Sequence, residues 1–543
     1  MWYIGGRSTK KRIARMPLGY SQGLWLLPIS IFRRYAWLIE RQSGCVRGVS
    51  VGAAAAFAAM HAALWTGILI ILKWNQDVHM DTAEAFAWGQ RFLLGYGKHP
   101  PLSGWIAGGW FTIFPASDWA AHLLAMSTVS CGLFICWLIA RRGMSGNHAM
   151  LALVALALCP VFNIKGYKYN ADLLQLVTLP LLVLAYLNAF EKRTAFSGLL
   201  LGMAACVALL TKYWALTMIG AIAVAAISHP ERSVFWFSRA PWIALLTATV
   251  LLVPHLLWLK QVSYAPLIYA GDVYAMVGHA DVAKSVAAYS IHNVAMAAVP
   301  VVFILAVTFG ESFHSCCYSR NEGLSLALIQ AVVALGPPAG ALIFAIVMKA
   351  DWGIPLFFLV PACSMIAIRP AVQLQTLYKG SAVYLVCSFA TLFVSFLLLG
   401  WQLRFPNSGS AVYGSRSTLA QQLTQEWHRR FATSWPIAVG TTEMVEHMAF
   451  YSSDHPTPIV AGEMWDSGLT SISDAKARGF IGLCDPTDPR VDTCRKWMEE
   501  NAHDAERIVV RTSRRFLGVS GPESDWEVFI VHSAATARPQ SRG

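Results

Sequence analysis

The sequence predicts a polytopic all-α membrane protein with about 11 transmembrane helices, followed by a small α/β domain. Three observations predict this fold class. Of the 543 residues, 56% are hydrophobic and only 13% are charged, whereas about 25% of the residues in a soluble domain are charged. The apolar residues form long runs within residues 51–400, and residues 401–543 have the composition of a soluble domain. These figures exclude a disordered chain, a disulfide-stapled miniprotein and a purely soluble enzyme.

The charge is distributed unevenly along the chain. Residues 1–50 contain nine Lys or Arg and one acid and carry a net +8, residues 51–400 carry +6, and residues 401–543 carry −2. A basic head before an apolar body indicates membrane topology and not a nucleic-acid-binding face. The positive-inside rule therefore predicts a cytoplasmic N-terminal segment over residues 1–50. No convincing signal-peptide cleavage site follows its short apolar stretch.

Eleven apolar runs are predicted to span the membrane, although several are shorter than the ~20 residues needed to cross it squarely. They lie near residues 51–72, 119–140, 148–165, 173–190, 196–211, 213–228, 241–259, 288–309, 324–348, 353–368 and 381–400. With an odd number of spans, the C-terminal domain is predicted to be periplasmic. Every Asp of the membrane region then falls on this outer side, which favours an outward-facing polar site. Solvation of the loops is the alternative.

The C-terminal domain, residues 401–543, is predicted to be α/β because strand-like and helix-like runs alternate. The strand-like runs are 436–439, 458–461, 480–483, 508–511 and 526–531, and the helix-like runs are 415–432, 441–452 and 489–502. Of the eleven cysteines, only Cys484 and Cys494 fall outside, at a spacing that suits a disulfide in an oxidising compartment.

The first outer loop, residues 73–118, contains the most informative polar residues. Residues 81–94 are predicted to form an amphipathic helix that lies along the membrane. Asp81 stands at its start and Glu84 follows three residues later, so both carboxylates share a face. The same pair also fits an ordinary N-terminal cap, which is the alternative.

Three further polar clusters lie between apolar runs: residues 165–172, 211–213 and 349–352. A charged residue between spans suggests a function, and a lysine snorkelling to the headgroups is the alternative. Lysine is a good partner for phosphate, and a carboxylate can act as a general base towards a sugar hydroxyl or an amine. The residues therefore favour a membrane enzyme acting on a phospholipid-borne substrate at the outer face.

Several motifs occur together in the order of a known family. They are Asp81-x-x-Glu84, Gly95-Tyr96-x-x-His99-Pro100-Pro101-Leu102-x-x-Trp105, Asn170-Ala171-Asp172, Leu210-Thr211-Lys212-Tyr213 and Pro254-x-x-x-Trp258. In these motifs the chain resembles bacterial GT-C glycosyltransferases of the dolichyl-phosphate-mannose protein mannosyltransferase-like superfamily. It is most similar to the branch of the lipid A aminoarabinose transferase and the rhizobial lipopolysaccharide galacturonic acid transferases. The resemblance covers roughly residues 75–370.

This resemblance implies an inverting glycosyltransferase of the inner membrane, which takes a hexosyl or pentosyl unit from a polyprenyl-phosphate carrier. The acceptor would be lipid A, the lipopolysaccharide core or another membrane glycolipid at the periplasmic face of the bilayer. Asp81 would be the general base, supported by Glu84, and Lys212 would bind the donor phosphate. The remaining implied donor-site residues are Lys98, His99, Lys168, Tyr169, Asn170, Asp172 and Asp351.

The chain departs from the aminoarabinose transferases at His99, where they have a lysine. A histidine keeps a possible cation there but makes its charge depend on pH. No cofactor is implied. Asp77, His79 and Asp81 could hold a metal, but their alternation is equally typical of a loop, so no metal site is predicted.

A flippase or transporter of a lipid-linked saccharide is the alternative function. Such a protein normally shows internal repeats or paired broken helices. No clear repeat is found, and the Gly336-Pro337-Pro338 break in one predicted span has no counterpart.

Overall fold

The computed structural model describes residues 48–273, 278–312, 320–408, 413–431, 433–462 and 469–533. Nearly all of the basic segment 1–50 lies outside the described residues, so its cytoplasmic location stays a prediction. The helices are α1 (Val51–Leu72), α2 (Met80–Gly89), α3 (Leu102–Phe111), α4 (Asp118–Arg141), α5 (Gly146–Ala157), α6 (Ala171–Lys192), α7 (Ala195–Thr211), α8 (Ala215–Ser228), α9 (Arg232–Trp236), α10 (Ala240–Gln261), α11 (Ala265–Val273), α12 (His279–Val307), α13 (Arg320–Phe344), α14 (Val360–Ile368), α15 (Leu374–Arg404), α16 (Arg416–Phe431), α17 (Thr442–Tyr451), α18 (Ile472–Arg478) and α19 (Val491–Asn501). The strands are β1 (Ile437–Gly440), β2 (Thr457–Val460), β3 (Phe480–Cys484), β4 (Glu506–Thr512), β5 (Arg515–Phe516), β6 (Val519–Ser520) and β7 (Ser524–Val531).

Each of the eleven predicted apolar runs contains a helix, which confirms the predicted multi-pass helical architecture. Seven helices of the described chain are long and apolar enough to cross a membrane: α1, α4, α6, α10, α12, α13 and α15. The 3-10 helix Ala350–Leu356 and α14, bent by 58° at their junction, form an eighth candidate. The other three runs correspond to the shorter apolar helices α5, α7 and α8. The number of full crossings, and the side on which each end lies, stay predictions.

Close helix packing at small residues builds the interior of the bundle. A Cβ atom added to Gly132 of α4 would lie 2.2 Å from the Leu176 carbonyl oxygen of α6, and one added to Gly198 of α7 would lie 2.3 Å from the Ala240 carbonyl oxygen of α10. Helix α6 is the most enclosed span, whereas α10 exposes residues such as Leu245 and Leu246. Such small-residue contacts are typical of packing between membrane helices, and lipid tails would cover the exposed apolar face of α10.

The first loop folds as two short helices, α2 and α3, and not as one helix over residues 81–94. The two helices touch where Gly89 meets Gly108, because a Cβ on Gly89 would lie 2.4 Å from the Gly108 nitrogen. Most residues of α2 are buried, and α17 of the C-terminal domain packs on it. The predicted extent of 81–94 is therefore wrong, and protein packs on two sides of α2. Its place along the membrane surface stays a prediction.

The predicted α/β domain is present, and all five predicted strands form one sheet in the order β2-β1-β3-β7-β4. Strand β1 is parallel to β2 and β3, whereas β7 is antiparallel to β3 and β4. Helices α16 and α17 pack on one face of the sheet and α19 packs on the other. The short helix α18 and the β5–β6 hairpin were not predicted.

A disulfide joins Cys484 at the end of β3 to Cys494 in α19, and both residues are buried. It ties α19 to the face of the sheet that it covers.

Removing this disulfide by the double substitution Cys484→Ser and Cys494→Ser is expected to destabilise the domain. The bond closes a segment whose ends are ten residues apart, and a loop of that size corresponds to about 2–3 kcal/mol in the chain-entropy estimate. Thermal unfolding monitored by limited proteolysis would measure the loss of stability. Cys387→Ser, at an exposed free cysteine, is the matched control. Equal unfolding midpoints for the double variant and the wild type would contradict this expectation.

Candidate active site

The site is built from five chain segments: the start of α2, the loop before α3, the turn before α6, the turn before α8, and the 3-10 helix Ala350–Leu356. Side chains from different segments join in ion pairs and hydrogen bonds. These are Asp81 with Asn170, Glu84 with Lys98, Asp172 with Lys212, and Asp351 with Lys168. The structure therefore brings nine of the ten implied site residues into four neighbouring pairs plus His99, which is described below.

Asp81 lies in the first turn of α2 but does not cap it. The cap is His79, whose ring nitrogen Nδ1 accepts the Asp81 backbone N–H at 3.2 Å. The Asp81 carboxylate points towards α6, where its Oδ2 accepts from Asn170 Nδ2 at 2.7 Å. About a quarter of the Asp81 side chain is exposed. The cap alternative is thus wrong, and the carboxylate is both oriented and accessible.

Glu84 has a partner of its own. Lys98 Nζ donates to Glu84 Oε1 at 3.0 Å, and both side chains are largely buried. The contact ties the turn after α2 back onto the helix. Glu84 therefore holds a lysine of the site in place.

Lys212 follows the last residue of α7 and donates to Asp172 Oδ1 at 2.6 Å. Its Nζ lies 6.0 Å from the centre of the Trp352 ring. Only 14% of the Lys212 side chain is exposed. A lysine so enclosed needs its carboxylate partner to stay charged at low cost.

His99 lies among cations. Burial, with the charges of Lys212, Lys98 and Lys349, lowers the pKa of His99 to about 3. Its imidazole is therefore neutral at physiological pH. The prediction of a pH-dependent cation at this position is therefore wrong. Lys98, Lys212 and Lys349 supply the positive charge, and His99 does not.

Asp351 gathers a second group of basic side chains. Lys168 Nζ donates to its Oδ2 at 3.1 Å, Lys165 Nζ lies 3.9 Å from its Oδ1, and His292 Nε2 lies 3.8 Å from the same oxygen. Partial burial opposes the charge on Lys168, but Asp351 and Asp81 outweigh it and raise the pKa of Lys168. Sequence reasoning did not single out His292, because a histidine inside an apolar run gives no local signal.

Tyr169 lies in the packed interior of the protein, whereas the resemblance implies that it belongs to the donor site. It is fully buried, its hydroxyl donates to the Ser103 carbonyl at 3.1 Å, and its backbone N–H donates to Thr82 Oγ1 at 3.0 Å. These bonds hold α2 and α3 against the turn before α6. Tyr169 therefore supports the site and does not line an open pocket.

The end of α10 seats the loop that carries Lys98 and His99. His255 Nδ1 donates to the Leu94 carbonyl at 2.7 Å, so its Nε2 can accept from the Tyr213 hydroxyl at 2.9 Å. At Gly95 an added Cβ would lie 2.2 Å from the Trp258 ring. Motifs more than 150 residues apart in sequence thus meet at one contact, and Gly95 is required by the close approach.

Asp77 does not join His79 and Asp81. Its Oδ1 accepts from Arg514 Nη1 at 3.0 Å, and its Oδ2 accepts from the Arg416 backbone N–H at 3.0 Å. Across the part of the chain that the structure describes, no group of three His, Cys, Asp or Glu residues is arranged to hold a metal ion.

Comparisons with known proteins agree with this architecture. Residues 98–258 match the dolichyl-phosphate-mannose-protein mannosyltransferase family. The match is narrower than the resemblance predicted over residues 75–370, and it leaves out Asp81, Glu84 and Asp351. The structure is similar to the crystal structure of ArnT from Cupriavidus metallidurans bound to undecaprenyl phosphate, with a TM-score of 0.55, 14% identity, and coverage of 91% of this chain and 100% of ArnT.

Curated relatives come from Rhizobium johnstonii. The lipopolysaccharide core galacturonosyltransferase RgtB is 24% identical over 55% of this chain, and the lipid A galacturonosyltransferase RgtD is 27% identical over 36%. The matches span 62% of RgtB and 44% of RgtD, which is less than two thirds of either relative. Together these findings confirm the predicted resemblance to bacterial GT-C glycosyltransferases and the predicted fold class.

Acidification is expected to destabilise the protein through His99. Its pKa is near 3 when folded and about 6.5 when unfolded, so the unfolded state binds the extra proton and stability falls as the pH drops below about 6.5. Between pH 7.5 and 5.5 the loss from this residue is about 1 kcal/mol. Thermal unfolding of His99→Asn should be less sensitive to acid than that of the wild type, whereas His503→Asn, at an exposed histidine, should match it. An unchanged acid sensitivity in His99→Asn would refute the assignment.

Proposed function

We propose that this protein is an inverting glycosyltransferase that moves a sugar from a polyprenyl-phosphate carrier to a lipopolysaccharide or lipid A acceptor. The observation that carries the proposal is the presence in one site of an oriented, accessible carboxylate, Asp81, and of the lysine group around His99. The likeness to ArnT and to the galacturonosyltransferases RgtB and RgtD supports it. Transfer takes place at the periplasmic face of the inner membrane, with the N-terminus in the cytoplasm.

The donor phosphate binds at Lys98, Lys212 and Lys349. When the bond between the anomeric carbon and the phosphate oxygen breaks, the phosphate gains negative charge, which preorganised ammonium groups stabilise. Glu84 and Asp172 hold two of these lysines in place. The neutral His99 lies among them without adding charge.

Asp81 receives the proton of the acceptor hydroxyl or amine. Asn170 binds its Oδ2, which orients the carboxylate and leaves Oδ1 to take the proton. The acceptor oxygen or nitrogen then attacks the anomeric carbon as the lipid phosphate leaves from the opposite face. This in-line displacement inverts the anomeric centre.

The transferred sugar is a hexuronic acid. RgtB and RgtD are named as galacturonosyltransferases, and a uronic acid carries a carboxylate. Lys165 and Lys168 gather at Asp351, and their ammonium groups are the proposed partners of the sugar carboxylate.

Asp81→Asn and Lys212→Ala are each expected to reduce transfer by about 100-fold or more, the size of effect found for lost acid–base catalysis or a lost charge-stabilising donor. The assay uses membranes supplied with undecaprenyl-phosphate-linked radiolabelled galacturonic acid and lipopolysaccharide. Lys284→Ala, at an exposed lysine paired with Asp281, is the control and should keep wild-type transfer. Full transfer by both site variants would rule out this site. Movement of the labelled lipid between leaflets without transfer would favour a flippase.

Deleting the gene is expected to lower the mass of lipopolysaccharide or lipid A by one hexuronic acid residue. Mass spectrometry of the extracted glycolipids measures the loss, and expression of the wild-type protein should restore it while Asp81→Asn should not. A loss equal to a pentose or a neutral hexose would retain the transferase and reject the uronic acid. An unchanged profile would count against a glycolipid acceptor.

A further inference from the structure

The two ends of the first loop meet at one arginine of the C-terminal domain. Arg514 Nη2 donates to the Trp74 carbonyl at 2.9 Å, and Arg514 Nη1 donates to Asp77 at 3.0 Å, both at the start of the loop. The same side chain reaches Asp118, where the loop ends and α4 begins, at 3.5 Å. We call Trp74, Asp77, Asp118, Tyr451 and Arg514 the loop base.

Tyr451 makes a second link between the two ends of the first loop. Its hydroxyl donates to Asp118 Oδ1 at 2.7 Å and accepts the Val78 backbone N–H at 2.7 Å. Burial, together with the charges of Asp118 and Asp77, raises the pKa of Tyr451 well above its usual value. The hydroxyl therefore keeps its proton to donate.

The chain just before α2 is held on both of its backbone groups. Tyr451 binds the Val78 N–H, and a ring nitrogen of His447, Nε2, donates to the Val78 carbonyl at 2.9 Å. The next residue, His79, caps α2, and Asp81 stands two positions further on. The C-terminal domain thus fixes the backbone from which the Asp81 carboxylate projects.

Apolar contacts extend the same interface along α2. The ring of Phe450 lies 5.2 Å from that of Phe86 in α2 and 5.7 Å from that of Phe111 in α3, both edge to face. Phe450 and Val78 are buried. Helix α17 therefore contacts both helices of the loop that forms one wall of the site.

The ion pair at the loop base is enclosed, unlike the pair of Arg511 with Asp525. The side chains of Asp77 and Arg514 are 4% and 16% exposed, whereas those of Arg511 and Asp525 on neighbouring strands β4 and β7 are 65% and 51% exposed. Removing one member of a buried pair leaves an uncompensated charge, whereas an exposed pair contributes little. Arg514 and Arg511 are three residues apart, so a comparison of their variants distinguishes a positioning role from a contribution at the surface.

We propose that the C-terminal domain positions the catalytic loop, with Arg514 and Tyr451 as positioning residues that fix Asp81 for proton transfer. The proposal rests on the transferase function given above. Neither side chain needs to touch the substrate, because each acts through Asp77, Val78 and Asp118. Small misplacements of a reacting group can reduce a rate by about 100-fold, so loosening the loop base reduces turnover more than binding of the donor.

The kinetic test measures kcat and the KM for undecaprenyl-phosphate-linked galacturonic acid with purified full-length protein. Arg514→Ala and Tyr451→Phe should each lower kcat by about 10-fold or more and change the donor KM by less than about 3-fold. Arg514→Lys, which keeps the charge, should recover part of the kcat. Arg511→Ala is the matched control and should behave as the wild type.

The structural test is hydrogen–deuterium exchange over residues 78–90, which does not depend on activity. Exchange there should be faster in Arg514→Ala and Tyr451→Phe than in the wild type and Arg511→Ala. If the wild type lacks transfer while exchange responds as expected, the transferase function fails and the loop base stands. Unchanged exchange over residues 78–90 in both variants would overturn the positioning role. This holds if kcat is retained, and also if kcat falls only in proportion to a smaller amount of folded protein.

Discussion

The pairing of each enclosed lysine with a carboxylate is the constraint on which the site depends. Lysines enclosed by protein near lipid are costly unless each has a carboxylate partner. Lys212 meets Asp172 and Lys98 meets Glu84, and each pair joins residues far apart in sequence. The pairs therefore hold the segments of the site together. In the proposed mechanism they also hold the ammonium groups in place for the donor phosphate, so little reorganisation is needed when charge develops on the leaving group.

Local signals explain why much of the architecture was predictable. Apolar runs long enough to enter a membrane and alternating strands are written in short stretches of sequence, so all eleven apolar runs contain helices and all five strands formed. The motifs around Asp81, Asp172 and Lys212 were visible because polar residues between apolar runs are rare. The helix predicted over residues 81–94 ends at Gly89 in the structure. Its amphipathic pattern also does not reveal that α17 covers its second face.

Roles that depend on distant partners were not predictable from the residues alone. Tyr169 stands between two implied site residues, yet its burial against Ser103 and Thr82 makes it a support. His292 lies inside a span and reaches Asp351 only after folding. The lowered pKa of His99 follows from its burial and from the charges of lysines in three segments, and no spacing in the sequence encodes that combination. Sequence pattern identified which residue types gather, whereas tertiary contacts decide which of them face the substrate.

The net charge of the C-terminal domain gave no indication of how that domain contacts the membrane region. The net charge of −2 over residues 401–543 is a sum over many side chains and does not single out Arg514. This arginine lies 437 residues from its partner Asp77 in the sequence. This contact has no local signal in the sequence, because its two residues belong to parts of the chain that meet only through tertiary structure. In the proposed transferase, the C-terminal domain therefore helps to fix the backbone next to the proposed general base, Asp81.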